Sequence, residues 1–124
     1  MIYLKPSGIQ KIHDYVIETQ GGESGLLNRS MLDVASERPR TFVYGHEPYD
    51  TLIAKASVLG YEIIVGHPFV DGNKRTGHAA METFLLLNGH EINAPSEEQE
   101  KVILQVAREN WDARNLPPGF AVMS

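Results

Sequence analysis

The sequence contains no cysteine in its 124 residues. A disulfide framework and a thiolate metal site are therefore excluded, and the composition fits a reducing compartment, so a cytoplasmic location is expected. No run approaches the roughly 18 apolar residues that a membrane-spanning helix needs. The start, Met1-Ile2-Tyr3-Leu4-Lys5-Pro6, lacks the basic opening and apolar stretch of a signal peptide. Positive charge is in deficit: 11 Lys and Arg stand against 16 Asp and Glu, for a net charge of −5. A broad electrostatic grip on nucleic acid is not expected from that balance. Strand signals are also scarce, limited to brief alternation at Ile2–Leu4 and an extended reading of Glu91-Ile92. There is no internal repeat, no low-complexity tract and no sign of a second domain.

What remains is mostly amphipathic helix. Ile9, Ile12, His13, Val16 and Ile17 form a core-facing stripe over 7–20, with Ser7 as a cap and Gly21-Gly22 as the stop. His13 lies on that stripe and reads as a packed, hydrogen-bonded histidine rather than a ligand. A short second helix over 28–37 can be capped by Asn28 or Ser30, with Met31, Leu32 and Ala35 inward and Pro39 ending it. A third, over 50–65, starts at Asp50 or Thr51. Its wide apolar face, Leu52, Ile53, Ala56, Leu59, Gly60, Ile63 and Ile64, marks it as central. A fourth, over 73–88, places Ala79, Ala80, Thr83, Phe84 and Leu87 on one face, with Gly89 beyond its end. A fifth, over 97–111, opens on a capping box of Ser96 and Gln99. The expected fold is all-α: one compact domain over residues 1–124, a bundle of five to six helices with little or no β, and residues 115–124 as a surface tail.

Two segments do not read as helix. The connector Arg38–Pro48 holds two prolines, two aromatics and two arginines, and exceeds the usual median loop of 4–6 residues. The other is Gly66–Gly77, Gly-His-Pro-Phe-Val-Asp-Gly-Asn-Lys-Arg-Thr-Gly. It places a histidine, a carboxylate, an amide and two cations at the start of a helix. Unpaired N–H groups and a partial positive charge at such a start favour anions. Gly72 permits close backbone approach, and Asn73, Lys74 and Arg75 add donors, which together form a recipe for phosphate binding. The spacing is not that of a Walker A loop. His67 is suited to take a proton near neutral pH, and Asp71 is an oxygen ligand of the right hardness for Mg²⁺. On the residues alone, a charged capping loop with a satisfied histidine is the competing reading. Neither His46-Glu47 nor His90-Glu91 has a second histidine at helical spacing, so no zinc-protease motif is present.

The run His67-Pro68-Phe69-Val70-Asp71-Gly72-Asn73-Lys74-Arg75 resembles the His-x-Phe-x-Asp/Glu-Gly/Ala-Asn-Gly/Lys-Arg loop of the Fic/Doc family. Upstream, Gly25–Ala35 followed by Arg38-Pro39 is similar to the Doc (death-on-curing) branch of that family. The resemblance implies a Fic fold and a transferase that moves part of ATP onto a protein hydroxyl. It implies His67 as the base, Asp71 as the Mg²⁺ ligand, and Gly72, Asn73, Lys74 and Arg75 as nucleotide and phosphate binders. Members that transfer AMP usually carry glycine at the place of Lys74 and a second arginine at the place of His78. Lysine there is a Doc trait and implies transfer of the γ-phosphate of ATP to elongation factor Tu, by a toxin of a type II toxin–antitoxin pair that blocks translation. AMP transfer and a catalytically silent binding module are the alternatives. Thr19–Glu23 and Ser96–Glu100 only approximate the family's self-inhibitory helix, so an antitoxin acting in trans is the expected partner. The connector stands where the family has a target-docking flap, with Arg38 and Phe42 as candidates.

Overall fold

A computed structural model of the chain describes residues 1–89 together with the backbone of two short strands, Glu91–Ile92 and Val122–Met123. The expected helix over 97–111 and the tail, apart from the backbone of Val122–Met123, lie outside the described residues. Among the described residues four α-helices carry the architecture: α1 (Pro6–Gln20), α2 (Arg29–Glu37), α3 (Leu52–Gly66) and α4 (Asn73–Leu87). The all-α expectation holds for this part of the chain. The two strands pair antiparallel, Glu91 opposite Met123 and Ile92 opposite Val122.

Helix starts follow local chemistry. Asn28 caps α2 by accepting from Met31 N–H, and Thr51 caps α3 by accepting from Ala54 N–H. Helix α1 differs from the expectation. It begins at Pro6, whose fixed φ and missing N–H suit a first helical position, and Ser7 lies inside the helix rather than capping it. Pro39 does not stop the helical path outright. One 3₁₀ turn, Arg38–Arg40, continues past α2 and buries Pro39. The extended N-terminal segment is held by side chains rather than by a sheet. Asn88 clasps the Ile2 backbone through both amide atoms, and Ser36 Oγ donates to Leu4 O at 2.8 Å.

Helices α3 and α4 form the central pair. Gly60 and Gly77 face one another there: a Cβ on Gly77 would lie 2.7 Å from Ile64 Cγ1 and 3.1 Å from Gly60 O. The missing side chains allow the two backbones to approach. This crossing selects the inward face of α4, which is Asn73, Thr76, Gly77, Ala80, Met81, Phe84 and Leu85. The expected stripe was rotated, since Leu87 is exposed and Ala79 and Thr83 are half-buried. The core joins Ile9, Leu32, Leu59, Ile63, Phe69, Met81, Phe84 and Leu85 from all four helices and the loop between α3 and α4. Phe69 is fully buried, so this loop is anchored in the core while its polar residues remain at the surface.

Candidate active site

The loop between α3 and α4 is shaped by two left-handed residues. At its start His67 ends α3 with φ 49° and ψ 58°, and its N–H donates to Ile63 O at 3.3 Å. Histidine tolerates this region better than most residues, yet the conformation is strained and turns the ring out of the helix into solvent. At its end Gly72, with φ 75°, turns the chain into α4. No side chain caps that helix, so its first-turn N–H groups are not consumed by a cap.

Between these turns Asn73 staples the loop. Its Oδ1 accepts from Phe69 N–H at 3.0 Å and its Nδ2 donates to Phe69 O at 2.9 Å. This double bond to one residue fixes the amide's orientation. The second Nδ2 hydrogen then faces His67 Nδ1 at 3.2 Å, which makes Nδ1 the acceptor and places the proton of the neutral ring on Nε2. The buried Asn73 side chain is thus committed to the loop.

The cleft in front of α4 has a volume of about 350 Å³ and is lined by His67, Val70 and the run Asp71–Arg75. The structure therefore brings together every loop residue singled out in the sequence. Val70 is an apolar wall that the sequence reading did not name. His78 is not among the lining residues. Asp71 is exposed and accepts Glu23 N–H on Oδ2 at 3.1 Å and Gly72 N–H on Oδ1 at 2.8 Å. These two amides, with Arg75 and His13 nearby, hold its carboxyl below the usual carboxylate range, so it is ionised near neutral pH. Arg75 donates from Nη1 to Gly21 O at 2.9 Å.

Among the described residues no three His, Cys, Asp or Glu side chains cluster as a metal cage. One ionised, exposed carboxylate beside a cationic, uncapped helix start still fits Mg²⁺, which keeps several waters and binds through one or two carboxylates plus substrate phosphates.

A segment far away in sequence lines the back of the loop. Leu27 and Asn28 N–H both donate to Pro68 O, and Val70 N–H donates to Gly25 O at 3.0 Å. Leu26 and Phe69 form an antiparallel bridge. His13 is buried, as expected. It stacks on Phe69 with centroids 3.8 Å apart, and its Nε2–H donates to Asp71 O at 2.8 Å.

No residue of the connector lines the cleft. Arg38 is held by Tyr49 and Glu62, and neither it nor Phe42 lines the cleft. Burial pushes the Glu62 carboxyl up from its ordinary value, and Arg38 only partly offsets this. Past Phe42, Val43 and His46 exchange both backbone hydrogen bonds around Tyr44 and Gly45. Both central residues have positive φ, the mark of a two-residue I′ hairpin, and this sets Tyr44 fully exposed at the tip. Tyr44, one of the connector's two aromatics, therefore does not pin the loop to the body of the protein. Underneath, the buried Lys55 ammonium donates to Pro39 O at 2.9 Å and pairs with Glu47, tying down both ends of the connector.

The sequence model of the Fic/DOC family matches residues 3–85 of this chain. The chain is also similar to a protein named Toxin Doc from Mycolicibacterium smegmatis (strain ATCC 700084 / mc(2)155). The two are 38% identical over 103 residues, which cover 82% of this chain and 79% of that protein. Among the described residues no helix is long and apolar enough to cross a membrane.

Proposed function

The chain belongs to the Fic/DOC family, and from that premise we propose that it is a Doc-like toxin that transfers the γ-phosphate of ATP to a hydroxyl of a protein, with elongation factor Tu as the expected target. The observation that carries this reading is the cleft: one contiguous run places His67, Asp71, Lys74 and Arg75 around the uncapped start of α4. Such an arrangement suits a chain of phosphates facing a protein hydroxyl. Blocked translation is the consequence expected of modifying that target.

In the proposed step the target hydroxyl oxygen bonds to the γ-phosphorus. The bond from that phosphorus to the β,γ-bridging oxygen breaks, ADP leaves with its electron pair, and the hydroxyl proton passes to His67. Taking that proton on Nε2 requires the tautomer with hydrogen on Nδ1, so the Asn73 contact is released as the ring is recruited. Asp71 would hold Mg²⁺, which when bound offsets phosphate charge. Arg75 and the N–H groups at the start of α4 would bind phosphate oxygens, and Lys74 adds a compact cation at a subsite that is glycine in AMP-transferring relatives. That cation, with His78 outside the cleft lining, favours phosphoryl over adenylyl transfer. An antitoxin supplied in trans, and folding onto a groove of this domain, is the expected regulator.

Intact mass of elongation factor Tu after incubation with the protein, ATP and Mg²⁺ tests the reading. A phosphoryl increment is expected. An adenylyl increment would assign AMP transfer instead, and no increment on this or any other protein would leave a silent binding module.

A further inference from the structure

The loop does not orient its own functional side chains unaided. Helix α1 ends at Gln20, and its cap Gly21 with the next two residues lies across the loop as a strap. From this strap Glu23 N–H reaches Asp71 Oδ2 at 3.1 Å, and Gly21 O receives Arg75 Nη1–H at 2.9 Å. From the helix behind it, His13 Nε2–H reaches Asp71 O at 2.8 Å. The space at Gly22 is closed: a Cβ there would lie 2.7 Å from Asp71 Oδ2, 3.0 Å from Arg75 Nη2 and 3.0 Å from Ile17 Cδ1. Its φ of 121° also suits only glycine.

The geometry points to the Gly21–Glu23 strap, with His13 behind it, as a positioning device that presets the Asp71 carboxylate and the Arg75 guanidinium for metal and phosphate. This inference rests on the roles proposed for those two residues above. The contacts orient without consuming. A carboxylate has about four acceptor sites, and Glu23 and Gly72 take one each on different oxygens. The guanidinium has five N–H donors, and Gly21 takes one. Both groups therefore retain capacity for a ligand while their rotamers are already fixed. Presetting removes an ordering cost that binding would otherwise meet. Partners of this kind, outside the ligand set, hold metal-binding side chains in place elsewhere, and their loss weakens metal affinity by about 10- to 100-fold.

The test compares the full-length wild type with Gly22→Ala and Gly89→Ala. Gly89 also has positive φ, 80°, but nothing lies within 4 Å of the Cβ it would carry, so it controls for backbone strain alone. The first readout is ligand-free: hydrogen exchange of the Glu23 amide. The second is affinity for a non-transferable ATP analogue with and without Mg²⁺. In Gly22→Ala the Glu23 amide is expected to lose protection and the tightening by Mg²⁺ to fall about 10- to 100-fold; Gly89→Ala keeps both. His13→Phe, which retains a ring against Phe69 but lacks the donor, should reduce the Mg²⁺ effect in the same direction, and His13→Gln should restore part of it. An unprotected Glu23 amide in the wild type overturns the inference. So does an undiminished Mg²⁺ effect in Gly22→Ala and His13→Phe, or an equal loss in Gly89→Ala. A wild type that fails to bind the analogue at all refutes the proposed function instead.

Discussion

Replacing Asn73 with alanine should destabilise the protein although the residue belongs to the site. The Asn73 amide is the partner of both the N–H and the C=O of Phe69, at 3.0 and 2.9 Å, and these bonds are buried. Each buried backbone group left without a partner costs about 1–3 kcal/mol, so the pair implies roughly 2–6 kcal/mol. Water entering the vacated space would recover part of this, and about 2–4 kcal/mol is the expected loss. For a chain of this size that corresponds to a fall of about 10 °C in melting temperature. Asn73→Asp sharpens the test. It preserves shape and an acceptor for Phe69 N–H but sets a carboxylate oxygen against Phe69 O, so it should lose at least as much. Urea unfolding at neutral pH, followed by circular dichroism, measures both. An Asn73→Ala midpoint equivalent to the wild type within about 0.5 kcal/mol would refute the stapled loop.

His67→Ala should behave in the opposite way. The side chain is exposed with one 3.2 Å contact, so stability should change by less than about 1 kcal/mol, while modification of the target is abolished. Lys55→Met should cost about 2–3 kcal/mol, a buried-pair loss discounted because Glu47 is partly exposed, and should speed protease cleavage between Thr41 and Glu47. Glu62 supplies a pH dependence. Its folded pKa is raised by burial, so the native state binds its proton more tightly than the unfolded chain does. Stability should therefore fall as pH rises from the ordinary carboxylate value through the raised one. Glu62→Gln should flatten that decline, as read from urea midpoints between about pH 4 and pH 7.

The helices were legible because their caps and stops are local. Asn28 and Thr51 mark boundaries that need no tertiary information. The face of α4 was not legible in the same way. Phe84, Leu85, Leu86 and Leu87 are all apolar, so periodicity cannot choose among them, and the close crossing at Gly60 and Gly77 decides. Likewise the apolar pattern of α3 gave no hint that Lys55 and Glu62 are also buried, because their partners Glu47, Pro39 and Arg38 come from the connector. The cleft was readable since its lining falls within one short stretch of sequence, His67 to Arg75. The strap was not: its bonds to Asp71 and Arg75 span 48 and 54 residues, and Gly21-Gly22 reads locally as an ordinary helix stop. Asn73 reads in sequence as a phosphate donor, whereas its side chain is taken up by Phe69 and His67.

Transfer of the γ-phosphate, as opposed to AMP, is the claim on which the functional account depends. The direct measurement incubates the protein and elongation factor Tu with ATP carrying label at either the γ- or the α-phosphorus, beside a His67→Ala control. Label from the γ position should remain on the target, none should arrive from the α position, and the control should transfer neither. Retention of the α label on the target by the wild type would contradict the account.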